Sequence, residues 1–140
     1  MNRNILPLFY FIITFFTYFI ILPIDMVRSE RVNNDRIAED LIIVFKRSMQ
    51  HWNLDYDSLP ENKSGAACIP WKEINQEYLS NQIFEALGYG FNLYDEKIGK
   101  KAALEGCERM KKYYKLQEHC NCEMILFNNE SRIKVPINNE

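Results

Sequence analysis

The chain has 140 residues, 17 Lys+Arg against 19 Asp+Glu, and 47% apolar residues. It is too apolar to be intrinsically disordered and too short for two ordinary domains. At a net charge of −2 it is not basic enough to bind nucleic acid on charge alone. It holds no internal repeat and no low-complexity block. The 14 asparagines, beside abundant Ile, Lys and Phe, point to an AT-rich coding sequence rather than to a functional tract.

Ile5 to Ile24 is an uncharged run of 20 residues. At a rise of about 1.5 Å per residue it just spans a bilayer core of roughly 30 Å. Arg3 and the chain amine precede it, and Asp25, Arg28, Glu30 and Arg31 follow. Residues 1–29 therefore read as a signal-anchor or a signal peptide. A cleavage site after Val27-Arg28-Ser29, before Glu30, lacks the favoured small residues, and the length suits an uncleaved anchor better. A buried core helix is the less favoured alternative, because a small domain has no core large enough to wrap an apolar helix on every face. Arg3 and the amine orient the segment with residues 30–140 outside the cytoplasm, although Arg28 and Arg31 weaken that bias. The expected location is a membrane-anchored envelope or periplasmic domain, or a secreted one if the chain is cut near Ser29–Glu30.

Residues 30–140, with 15 Lys+Arg and 18 Asp+Glu, form one small exported α+β domain with a single modest core. Within 30–52, Asn34 to Trp52 reads as an amphipathic helix. Ala38, Leu41, Ile42, Phe45, Met49 and Trp52 recur at steps of three and four, and Asn34 or Asp35 is the expected cap. Residues 53–80 read as a loop-rich connection, with Asp, Ser, Pro, Asn and Gly concentrated over 53–70. Trp71 to Leu79 suits a short helix or a strand equally.

Residues 84–135 read as a β-α-β-β unit. Leu87 to Tyr94 alternates apolar residues with Gly88, Gly90 and Asn92, the period of a strand. Its two glycines leave one face bare for a helix, another backbone or a ligand. Asp95 then caps a helix to about Lys115, with Ala103, Cys107, Met110 and Tyr114 as its stripe and Gly99 and Gly106 beside it. Lys97, Lys100, Lys101, Lys111, Lys112 and Lys115 make the other side basic. That side is either a solvated face or one for an anionic partner. Cys122 to Phe127 is the next strand. Asn128 to Ser131 is a turn, since Asn tolerates left-handed backbone, and Arg132 to Val135 is the return strand. The expected architecture is thus an antiparallel sheet packed on a helix, preceded by an N-terminal hydrophobic helix.

All four cysteines lie in the exported part: Cys68, Cys107, Cys120 and Cys122. An even count beyond a membrane signal suggests disulfides, with three possible connectivities. A bridge from Cys107 to Cys120 or Cys122 would staple helix to sheet across a loop of about 15 residues, worth on the order of 3 kcal/mol. Cys107–Cys122 with Cys68–Cys120 is the preferred pairing, because Cys122 begins a strand while Cys120 stays in the connection. Two other chemistries compete. His119, Cys120 and Cys122, with Cys107 or Cys68, could offer four metal ligands, yet structural zinc sites show paired Cys-x2-4-Cys knuckles. Redox exchange between Cys120 and Cys122 is the other, but redox pairs favour Cys-x-x-Cys at a helix start.

Other chemistry is sparse. There is no Gly-x-Ser-x-Gly, no phosphate-cradling loop and no His-Glu-x-x-His. Asp55 and Asp57 form an acidic pair without a third ligand. Asn62-Lys63-Ser64 and Asn129-Glu130-Ser131 match glycosylation acceptors.

Gly88-Tyr89-Gly90-Phe91, then Ala102-Ala103-Leu104-x-x-Cys107, then Cys122 opening a strand into Asn128, together resemble a small exported module of unknown function found in alphaproteobacteria. The resemblance covers about residues 84–135. It implies a fold and an envelope location and no catalytic residues. The chain departs from it in Cys120, in the longer connection after Met110 and in residues 30–80.

The sequence thus points to a non-enzymatic structural or interaction module. Ile5–Ile24 holds it to the membrane, a protein in the envelope is its partner, and it needs no cofactor, nucleic acid or identifiable small molecule. A thiol-redox or metal-binding protein built on His119, Cys120 and Cys122 is the alternative. A small ligand binder using the glycine face of Leu87–Tyr94 is the third reading.

Overall fold

A computed structural model describes residues 33–136. The apolar run Ile5–Ile24 lies outside the described residues. Among those described, no helix is long and apolar enough to cross a membrane. One compact unit begins at Ile37.

The elements of the described residues are helix α1 (33–51), strand β1 (Ser64–Ile69), helix α2 (Gln76–Asn81), strand β2 (Leu87–Gly90), helix α3 (Glu96–Tyr113), strand β3 (Asn121–Phe127) and strand β4 (Glu130–Ser131). The fold is mixed helix and antiparallel sheet, with strand order β2-β1-β3-β4. The sheet is covered on both faces. On one, Leu41, Val44, Phe45 and Met49 of α1 pack with Ala67, Ile69, Leu87 and Ile125. On the other, Ala103 and Cys107 of α3 pack with Ala66, Cys68 and Met124.

The central strand β1 corrects the expectation of a loop over 53–70. Its residues, Ser-Gly-Ala-Ala-Cys-Ile, are buried throughout. A strand enclosed on both faces has no polar side to alternate with, so the period-two pattern that marks half-buried strands is missing. Small residues serve packing here. A Cβ at Gly65 would run into the Phe45 ring, and the Ser64 hydroxyl donates to the Gly99 carbonyl at 2.8 Å.

Other boundaries shift for local reasons. Asn34 and Asp35 are helical residues of α1, so neither caps it, and Trp52 follows the helix and stays 40% exposed. Of the two readings open for Trp71–Leu79, the helical one holds from Gln76, where Asn75 caps the helix by accepting from the Tyr78 amide. Strand β2 stops at Gly90 rather than Tyr94, because Asn92 takes a positive φ of 55° and turns the chain. The turn brings the Leu93 side chain over Gly90 and Gly99, on the side of α3.

Asp95 does cap α3, its carboxylate accepting from the Ile98 amide at 2.8 Å. The helix ends at Tyr113, two residues short of Lys115. There the amides of Lys115 and Leu116 donate back to the carbonyls of Lys112 and Lys111, with Lys115 left-handed at φ 60°, a Schellman ending. Tyr114 is therefore a cap residue, 42% exposed, and no part of the buried stripe. Lys111 is buried, with its ammonium 3.8 Å from Glu108, so the basic side of α3 is narrower than the sequence suggests. Asn128, at φ 51°, makes the tight turn. Pairing then resumes at once, so β4 is Glu130–Ser131 and not 132–135.

The glycine face of β2 is where α3 comes closest. A Cβ on Gly88 would overlap the Ala103 carbonyl oxygen and the Cys107 amide nitrogen, and one on Gly106 would sit 3.1 Å from the Gly88 Cα. Of the helix, backbone or ligand open for this face, the helix fills it and leaves no room for the ligand of the third reading. Gly88→Ala should cost about 3 kcal/mol or prevent folding, since backbone cannot yield as a side chain does. Gly99→Ala should change stability by less than about 1 kcal/mol. Its neighbours are side-chain atoms at 3.3–3.4 Å, and alanine's helical preference offsets the tight contact. Urea denaturation of both variants checks this; equal losses would contradict it.

Candidate functional site

The loop before β1 is held by the residue that precedes the strand, Lys63. The Lys63 ammonium enters it and donates to the carbonyls of Tyr56, Asp57 and Leu59 at 2.9, 2.9 and 3.2 Å. It also lies 5.0 Å from the centre of the Tyr56 ring. Asp57, half of the acidic pair, holds Lys46 at 2.7 Å, and Asp55 accepts from the Asp57 amide. The pair is used for structure.

Where β1 ends, the chain leaves at Pro70 and enters α2. Arg47 of α1 fixes the far end of α2 by donating to the carbonyls of Leu79 and Gln82 at 3.1 and 2.8 Å. The connection after α3 folds back toward the same end of β1. Its Leu116 amide is held by Lys111 and its His119 amide by Leu116. Between α2 and this connection lies an open cleft of about 600 Å³. Glu73, Glu77 and Glu85 line it, with Tyr78, His119 and the sulfur pair Cys68 and Cys120. Among the described residues no lysine or arginine lines it.

The structure joins Cys68 to Cys120 and Cys107 to Cys122, with Cα separations of 5.2 and 6.0 Å. Among the described residues no cysteine is free. Both pairs start from the α3 side of the sheet, where Cys68 and Cys122 are cross-strand neighbours. Cys107 reaches Cys122 from the inner face of α3. Cys120, one residue outside β3's first position, reaches Cys68. Cys120 and Cys122 thus face different partners, and only Cys120 joins His119 in the cleft. Among the described residues no three His, Cys, Asp or Glu side chains converge to hold a metal ion.

The carboxylates of the cleft were not singled out from sequence. Glu73 precedes α2, Glu77 lies in its first turn and Glu85 precedes β2, so no spacing rule joins them. Their effect falls on Tyr78. Burial first, then Glu73 and Glu85, push its hydroxyl from 10.0 up to about 12, while the hydroxyl donates to the Ile83 carbonyl at 3.2 Å. Burial and Asp57 likewise raise Tyr56. At the opposite end of the sheet, Arg132 bonds both Glu96 oxygens, which holds the Glu96 carboxyl below its ordinary value and ties β4 to the start of α3.

A second surface feature is aromatic. Trp52 lies 6.3 Å from Tyr114, whose ring is 5.0 Å from Tyr113. All three rings are exposed.

No protein-family model, no curated protein and no solved structure matches this chain. The site is therefore read from its own geometry.

The raised pKa of Tyr78 predicts a stability effect. The folded protein holds that proton more tightly than the unfolded chain does. The resulting stabilisation is complete below pH 10 and is lost as pH rises toward 12. Chemical denaturation between pH 10 and 12 should show stability falling, with Tyr56 contributing to the fall. Tyr78→Phe should make the fall shallower; a variant as steep as the parent would contradict the assignment.

Proposed function

We propose that this chain is an exported, non-enzymatic interaction module of the cell envelope, fastened by two disulfides and presenting the cleft between α2 and the 114–120 connection to a protein partner. The observation that carries this reading is the pairing of all four cysteines around the four-stranded sheet of the described residues. Such crosslinks persist in oxidising compartments outside the cytoplasm, and a core this small gains from them. Export rests on the charge-free run Ile5–Ile24, which we take as a membrane anchor that leaves the domain outside. The resemblance of residues 84–135 to an exported alphaproteobacterial module would imply the same location.

A non-enzymatic role is favoured by the chemistry of the cleft. Among the described residues no serine, threonine or free thiol stands beside its carboxylates, and its two sulfurs are bonded to each other. The exposed rings of Trp52, Tyr113 and Tyr114 add to the surface open to a partner.

The test is an intact mass of the protein taken from the native membrane or envelope fraction, alkylated without reductant. We expect no alkyl groups and a chain that begins at Met1. A mass beginning near Glu30 would replace anchor by secretion. Four alkyl groups, or recovery from the cytosol, would overturn the reading.

A further inference from the structure

We propose that Cys68–Cys120 is a thiol–disulfide exchange site, opened from the cleft by small thiols that carry a positive charge, while Cys107–Cys122 stays closed. The proposal goes beyond the interaction role and does not depend on who the partner is.

The two bridges differ in whether they line the cleft and not in burial, since each joins a buried cysteine, Cys68 or Cys107, to a half-buried one, Cys120 or Cys122. Cys68 and Cys120 both line the open cleft; neither Cys107 nor Cys122 does. Cys107 is fully buried between α3 and the sheet, its sulfur 3.9 Å from the Ala86 carbonyl oxygen. Exchange requires a thiolate to reach a disulfide sulfur. From the cleft, Cys120 is the sulfur within reach, being half-buried, whereas Cys68 is 2% exposed.

The step balances with an external thiol as the only co-reactant. Its thiolate bonds to the Cys120 sulfur as the Cys68–Cys120 bond breaks, and Cys68 leaves with the electron pair and takes a proton from water. A second thiolate then attacks the external sulfur of the mixed disulfide and releases Cys120. Two external thiols become one disulfide, and the protein's bridge is reduced to two thiols.

The cleft selects which thiol enters. Glu73, Glu77 and Glu85 line the approach, and among the described residues no lysine or arginine lines it with them, the Arg47 guanidinium being turned to the carbonyls of Leu79 and Gln82. An anionic thiolate is repelled there, and one bearing an ammonium group is drawn in. The consequence is local. Cys68–Cys120 ties the wall formed by Leu116, His119 and Cys120 to the end of β1, and the hydrogen bonds of His119 and Leu116 stay within that wall and the end of α3. Opening the bridge frees this wall of the cleft, while Cys107–Cys122 keeps α3 on the sheet.

The experiment uses the full chain, purified in neutral detergent without reductant. Cysteamine and 2-mercaptoethanesulfonate are the probes. Their rates are referred to thiolate concentration and divided by their rates on a small uncharged disulfide. Alkylation and fragment-ion mass spectrometry identify which cysteines open. The expected result is opening of Cys68 and Cys120 first, with cysteamine favoured about tenfold at low salt. That preference should shrink toward one at about 1 M salt, and in a Glu73→Gln/Glu77→Gln/Glu85→Gln variant even at low salt. Opening of Cys107–Cys122 first, or of both bridges at one rate, would overturn the site. Equal normalised rates for the two probes at low salt would overturn the selectivity.

Discussion

Helix α3 lies on the sheet with backbone against backbone. At Gly88 there is no space for even one methyl group between the strand and the turn of helix carrying Ala103 and Cys107. Most of this half of the fold depends on that approach. It requires small residues on both sides, Ala66 and Gly88 on the sheet and Ala103 and Gly106 on the helix. It also brings the Cys107 sulfur within bonding reach of β3. Dispersion forces fall steeply with separation, so such a contact repays its narrow sequence requirements only when the fit is close.

The opposite face of the sheet is built on another principle. Phe45, Met49, Leu41 and Tyr56 fill it with large side chains, and the Phe45 ring occupies the space that Gly65 leaves. The central strand therefore serves a thin interface with α3 and a thick one with α1. The two disulfides belong to the thin side, where few side-chain atoms are available to hold the elements together. One pins the helix, and the other pins the connection that closes the cleft. Stapling and cleft formation are in this sense one feature of the molecule.

The parts of this plan that are legible in sequence are those carried by local chemistry. Asp95 announces α3 because a carboxylate at that position accepts from the first free amides. The left-handed tolerance of asparagine marks the turn at Asn128. Strand β1 is illegible for the converse reason. Ser-Gly-Ala-Ala-Cys-Ile has neither alternation nor bulk, and its identity as a strand comes only from what packs on both sides. Trp52 and Tyr114 continue the apolar spacing of their helices past the point where the backbone turns away, so periodicity alone misplaces them. The cleft is assembled from two stretches of chain, 68–85 and 116–120. Glu73, Glu77 and Glu85 carry no shared pattern, and only the folding of the 114–120 connection back to β1 makes them neighbours of a disulfide.

The approach of α3 decides which sulfurs meet. The direct measurement is a disulfide map of the unreduced protein by partial reduction and electron-transfer fragmentation, which separates Cys120 from Cys122 across Asn121. The account predicts Cys68 with Cys120 and Cys107 with Cys122. A map joining Cys107 to Cys120, Cys68 to Cys122, or Cys120 to Cys122 would contradict it.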